Sequence, residues 1–142
     1  MEMYDTILVP TDGSEQASRG VDHGLNLAEQ YNASVVCLYV VDERRHGRPP
    51  ALGSVEAEHE KVEDEAVEML EEIADRAREV GLEAECECCR GLPWEEIVDY
   101  AERDNADLIV MGRRGATNDR RTPLGSVTER VVRQTEIPVQ AV

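Results

Sequence analysis

Two kinds of hydrophobic stretch alternate along this chain. Short, nearly continuous runs rich in Val, Ile and Leu are separated by longer stretches in which apolar residues return every three or four positions. Runs of the first kind suit strands covered on both faces, and stretches of the second kind suit amphipathic helices. Residues 6–9, Thr-Ile-Leu-Val, form the first predicted strand. Ser14 is placed to cap a helix reaching about residue 31, with Val21, Leu25 and Ala28 on its inner face. Residues 33–41 follow as a second strand, and 42–53, rich in Arg, Pro and Gly, read as a loop. Beyond it Val62, Ala66, Met69, Ile73, Ala77 and Val80 trace one face of a long acidic helix that Gly81 closes. A third strand is predicted over 83–90. Pro93 opens a helix that turns Trp94, Ile97, Val98 and Ala101 inward, and 107–111 form a fourth strand. A helix over 124–135 then leads to a last strand, 138–142.

Five strands and four helices in strict alternation, with no internal repeat and no linker, predict one α/β domain over residues 1–142. The expected fold is doubly wound and Rossmann-like: a five-stranded, mainly parallel sheet with helices on both faces. A ligand of such a sheet sits beyond the carboxyl ends of the strands, where strand order reverses. The loops after Val9, Val41 and Met111 are therefore the places to look for chemistry.

Composition adds constraints. Phe is absent and aromatics reach only 4%, so aliphatic side chains must fill the interior. The formal charge of −16 rests on 31 Asp and Glu against 15 Lys and Arg, and Lys61 is the only lysine. Such a surface repels nucleic acid and anionic membranes. It suits a protein working in concentrated salt, where screening removes self-repulsion, and points to a halophilic archaeal source; an ordinary acidic cytosolic protein is the plainer alternative. With neither an apolar run of membrane-spanning length nor a basic and apolar leader at the start, a cytoplasmic location is expected. Cys37, Cys86, Cys88 and Cys89 lack the paired spacing of a zinc site. Leu82, Ala84, Cys86 and Cys88 alternate along a strand, which makes reduced core thiols the expected reading.

Three segments at the predicted ligand edge carry candidate chemistry. Gly112-Arg113-Arg114-Gly115 is followed after nine residues by Gly125-Ser126. Glycines allow positive φ and close approach of backbone amides, and the second half feeds a helix start whose free N–H groups favour an anion. Arg113, Arg114, Arg120 and Arg121 gather cations here on an otherwise anionic chain. Glycines that merely turn the chain, and arginines that merely pair with surface carboxylates, would show the same spacing. Pro10-Thr11-Asp12-Gly13-Ser14 follows the first strand, where a carboxylate can accept from ribose hydroxyls or can simply shape a turn. Tyr39-Val40-Val41-Asp42 ends the second strand, where main-chain groups can meet the edge of a base or only close a buried strand.

These segments together resemble the universal stress protein family over essentially the whole chain. The match joins Pro10-Thr11-Asp12-Gly13-Ser14 and Val40-Val41-Asp42 to Met111-Gly112-x-x-Gly115, nine residues, and Gly125-Ser126-Val127-Thr128. The last spacing is the mark of the family's ATP-binding branch. The resemblance implies that Asp12 contacts ribose, that the main chain near Val40 contacts adenine, and that Gly112, Gly115, Gly125, Ser126 and Val127 hold phosphates. Pro10, Thr11 and Met111 would line the pocket. ATP, AMP or ADP is the implied ligand, with or without Mg2+ or Mn2+. Arg113, Arg114 and Asp119, inside the phosphate loop, depart from the commonest pattern.

Enzymatic signals are weak. No phosphate-binding loop ends in Gly-Lys, and His23, His46 and His59 lack a neighbouring nucleophile and read as solvated. The resemblance implies a nucleotide-dependent sensor or switch, with hydrolysis slow or dependent on a protein partner that the sequence does not identify. The alternatives are an interaction module whose loop is structural, and an adenylating or pyrophosphatase enzyme, which would need a Ser-Gly-Gly-x-Asp-Ser loop absent here. Val139, Ala141 and Val142 end the chain on an apolar strand edge, from which a homodimer is expected.

Overall fold

The structure is a computed structural model that describes residues 3–46, 55–114 and 124–142. Its elements run β1 (Thr6–Pro10), α1 (Glu15–Tyr31), β2 (Ser34–Asp42), α2 (Glu43–His46), α3 (Val55–Glu79), β3 (Ala84–Gly91), α4 (Pro93–Arg103), β4 (Leu108–Met111), α5 (Ser126–Gln134) and β5 (Val139–Ala141). The five strands form one sheet in the order β3-β2-β1-β4-β5, and all four pairings are parallel.

Strand alternation divides the core into two layers. Ile7, Val9, Val35, Cys37, Leu108 and Val110 face α1 and α3, packing on Val21, Leu25, Leu70, Ile73 and Ala77. Leu8, Val36, Leu38, Ile109 and Met111 face the other way onto Ile97, Val98 and Ala101 of α4 and Val131 of α5. Both faces are covered, which is why β1, β2 and β4 read as unbroken apolar runs. Local signals set the ends. Ser14 accepts the Ala17 amide at 3.1 Å as the cap of α1, and Pro93 stands at the first turn of α4. Gly81, at φ 84°, takes the chain out of α3.

Two expectations about the middle of the chain need correction. The predicted loop contains a short helix, α2, directly after β2; residues 47–54 lie outside the described residues. The long acidic helix begins at Val55, just after the end expected for that loop. Its early part is anchored from outside: Arg90 on β3 forks onto Glu56 at 2.8 Å and also pairs with Glu63. At the other end Val80, one residue beyond the end of the helix at Glu79, is 48% exposed rather than inward. Leu70 and Ala74 complete the buried face.

Between α1 and β4 the backbones meet unusually closely. A Cβ on Gly20 would lie 2.6 Å from the Gly112 nitrogen, and one on Gly24 would lie 2.8 Å from a Val9 methyl. These two glycines, one turn apart, let α1 settle against the end of β4 and so bring its N-terminus to the ligand edge.

Candidate functional site

The chain winds outward from β1 through β2 to β3, then returns to β4 on the other side of β1. Strand order therefore reverses between β1 and β4, and a cleft of about 430 Å3 opens at that end of the sheet. Its walls come from the ends of β1 (Pro10, Thr11, Asp12), β2 (Leu38, Tyr39, Val40, Asp42) and β4 (Met111, Gly112), with Arg114 beyond. Ala17 of α1, Pro93 and Ile97 of α4, and Gly125, Ser126, Val127 and Thr128 at the start of α5 close it.

Of the residues singled out from sequence, Pro10, Thr11, Asp12, Val40, Met111, Gly112, Gly125, Ser126 and Val127 all line this one cleft. Gly115 lies outside the described residues, as do Asp119, Arg120 and Arg121. Thr11 is buried, and its amide donates to the Leu38 carbonyl at 2.9 Å, holding the β1 loop against β2. The Thr11 hydroxyl accepts the Gly13 amide at 3.1 Å, and Asp12 Oδ1 accepts the Ser14 amide at 2.9 Å. Asp12 thus shapes its turn and lines the cleft at once. Gly13 sits at φ 79°, where a side chain would be strained.

The described ends of the segment between β4 and α5 are pinned by hydrogen bonds within the protein. The Arg113 amide donates to the Val142 carbonyl at 2.7 Å, and the Gly125 amide donates to the Arg113 carbonyl at 2.8 Å. Both are therefore engaged within the protein. The Thr128 hydroxyl donates to the Gly112 carbonyl at 2.9 Å, tying α5 to the end of β4. The first-turn amides of α5, at Ser126, Val127 and Thr128, have no partner within their own helix. They supply the positive helix end at the cleft.

The glycines also act differently from expectation. Gly125, the N-cap of α5, has φ −70°, open to any residue, so no conformational strain requires glycine there. Gly112 is required by crowding instead: a Cβ would lie 2.7 Å from the Gln16 carbonyl oxygen and 3.0 Å from Ala17 Cα. It lets β4 pass under α1 at the edge of the cleft.

Several wall residues were not foreseen. Arg44 comes from the segment read as loop; its guanidinium holds Asp42 through Nε to Oδ1 at 3.2 Å and Nη2 to Oδ2 at 3.1 Å. The sequence signal was the Asp-x-Arg spacing. Leu38, Pro93 and Ile97 read as core or helix-start residues, and nothing local marks them as cleft walls. The histidines divide. His23 is half-buried and meets Gln140 Nε2 at 3.0 Å, and the side chain of His46 lies outside the described residues. His59, expected in solvent, is instead buried on α3 with Nε2 unpartnered.

The thiols are free and half-buried or buried. Burial first, and then neighbouring Cys86, pushes the Cys37 thiol up to about 12. Burial followed by the Glu71 carboxylate pushes Cys86 up to about 11, and burial followed by Glu96 pushes Cys89 up to about 12. These are inert thiols at neutral pH. Among the described residues no group of three or more His, Cys, Asp or Glu side chains is placed to hold a metal, and no helix is long and apolar enough to cross a membrane.

Residues 3–142 match the family model of the universal stress protein family. The chain belongs to that family. Universal stress protein MJ0531 of Methanocaldococcus jannaschii is 40% identical over 140 residues, covering 99% of this chain and 82% of its own length. The solved structure of MJ0577 superimposes with a TM-score of 0.84 at 35% identity, covering 99% of this chain and 96% of that one. A universal stress protein solved in complex with cAMP gives a TM-score of 0.72 at 27% identity, covering 98% and 96%. The family places the chain among stress-response proteins, and the α/β fold with its five parallel strands is the one these structures share.

Proposed function

We propose that this universal stress protein binds an adenine nucleotide in the cleft at the β1–β4 switch point and acts as a nucleotide-dependent sensor or switch, with ATP as the ligand. The observation that carries this reading is the division of the cleft. One end is walled by Leu38, Val40, Pro93 and Ile97, an apolar slot suited to a base, and the other is walled by Arg114 and the start of α5, suited to phosphates. Asp12 lies between them in the turn after β1, where a ribose would present its hydroxyls. The relative in complex with cAMP supports the choice of adenine.

A divalent cation fits this site only in company with the nucleotide. Asp12 and Asp42 are the lining carboxylates, and Asp42 is already forked by Arg44. Mg2+ or Mn2+ would be held by phosphate oxygens and water, with Asp12 as the nearest carboxylate. Fast hydrolysis is not part of the proposal: Lys61, the only lysine, stands on α3 away from the cleft lining.

The same reading treats residues 1–142 as one domain working in a cytoplasm of high salt, that of a halophilic archaeon, as the charge of −16 supports. It includes a homodimer formed by pairing β5 across a two-fold axis, since β5 closes one end of the sheet order. Light scattering at micromolar concentration should report twice the chain mass; a monomer refutes the dimer and leaves the ligand untouched.

Heat denaturation of the purified protein, with ion exchange of the supernatant, should release adenine nucleotide, and calorimetry on stripped protein should show ATP rebinding. Neither release nor rebinding would leave an interaction module with a structural loop as the surviving function.

A further inference from the structure

Among the described residues two guanidinium groups line the cleft, and they differ in what they have left to offer. Arg44, near the end of β2, is neutralised in place by the two-pronged ion pair with Asp42. Arg114, at the β4 end, is in another state: its Nε is buried from solvent and has no hydrogen-bond partner among the described residues. That is unexpected in a chain with 31 carboxylates, where a buried guanidinium nitrogen rarely lacks an acceptor.

Its neighbourhood sharpens the point. The residue before it, Arg113, accepts the amide of Gly125, the N-cap of α5, so Arg114 is held beside a helix start that is itself electropositive. A cation next to a positive helix end is unfavourable unless an anion stands between them. Among the described residues the cleft therefore has a balanced end at β2 and a positive end without a countercharge at β4 and α5. A ligand with one neutral and one strongly anionic end fits it in only one orientation.

We infer that Arg114 is the selectivity residue of this cleft, giving preference to nucleoside di- and triphosphates over ligands with the same base and sugar but no phosphate or a ring-closed one. The inference rests on the nucleotide reading above. A planar fork of donors matches the oxygens of an open phosphate chain, and the chain extends away from the sugar toward α5. A cyclic phosphate carries a single charge tied back onto the ribose, which keeps it from the guanidinium.

Calorimetry at one fixed KCl concentration, with ATP, ADP, AMP, cAMP and adenosine, tests this on the parent chain, Arg114→Gln and Arg114→Lys. The parent should bind ATP and ADP more tightly than cAMP and adenosine. Arg114→Gln should lose about ten- to a hundredfold in ATP affinity while adenosine, or cAMP where adenosine is too weak to titrate, stays within about twofold. Arg114→Lys, keeping the charge without the fork, should fall between. The unchanged weaker ligand serves as the check that the variant is folded. Equal ATP binding by Arg114→Gln and the parent overturns the inference and leaves the nucleotide reading standing. So does an equal loss for every ligand, which would make Arg114 a wall rather than a selector. A parent chain that binds none of the five overturns both.

Discussion

Replacing Gly20 by alanine sets two effects of known sign against each other. Gly20 lies inside α1, where alanine favours the helix by about 0.5–1 kcal/mol. Against this, the new Cβ would stand 2.6 Å from the Gly112 nitrogen and 2.7 Å from the Met111 carbonyl carbon. Both are backbone atoms between β4 and the cleft, so neither can rotate aside. Restoring an ordinary contact of 3.4 Å requires α1 to withdraw by about 0.8 Å. That withdrawal loosens Val21 and Leu25 from Val9 and Val110, and such backbone shifts cost about 1–3 kcal/mol. The net loss is about 1–2 kcal/mol, which at this chain length lowers Tm by about 3–8 °C. Gly24→Ala is the matched control. Its Cβ would meet a methyl of Val9, fully buried and stiff at χ1, at 2.8 Å, so it too should lose stability, through side-chain overpacking rather than a backbone clash. Circular dichroism melts of both variants in molar KCl decide the matter. A Gly20→Ala protein melting at or above the parent would show that the α1–β4 contact is soft and that the glycine pair does not set the cleft wall.

Asp12→Ala should weaken ATP binding by about 1–3 kcal/mol in calorimetry through lost ribose hydrogen bonds, and an unchanged affinity would remove Asp12 from the site. The melting midpoint should climb steadily from low salt to molar KCl as carboxylate repulsion is screened, and a flat response would end the high-salt reading. Alkaline stability follows from the thiols: the folded protein keeps the protons of Cys37 and Cys86 up to about 12 and 11, while the unfolded chain releases them near 9. Their stabilisation is complete below pH 9 and is lost as pH rises from there toward 12, so the urea midpoint should fall across that window. In Cys37→Ala the fall should be shallower, and equal slopes would refute the assignment.

The elements of this fold were legible because their causes are local. The alternation of Ile7, Leu8 and Val9 and the continuous run from Val35 to Val41 need only neighbouring residues to declare a strand covered on both faces. Ser14, Gly81 and Pro93 act on backbone groups within a turn of themselves, and they ended or began helices where the sequence placed them. Most of the cleft could likewise be named in advance, since loops after β1, β2 and β4 must converge once strand order reverses beside β1.

Tertiary structure decided what depends on distance between elements far apart in the chain. The first turns of α3 are acidic and carry little periodic signal, and they stand as helix where Arg90 reaches across from β3 to Glu56 and Glu63. Gly20 and Gly112 look like two unrelated flexible residues until α1 and β4 are brought to within a missing Cβ of each other. Arg44 and Arg114 are alike as letters, yet one is neutralised by Asp42 and the other keeps a buried Nε without a partner among the described residues. Periodicity and capping are written in adjacent residues because they arise from the geometry of a single helix or strand. Steric contact and charge balance arise between surfaces, and those surfaces exist only once the sheet has ordered its strands.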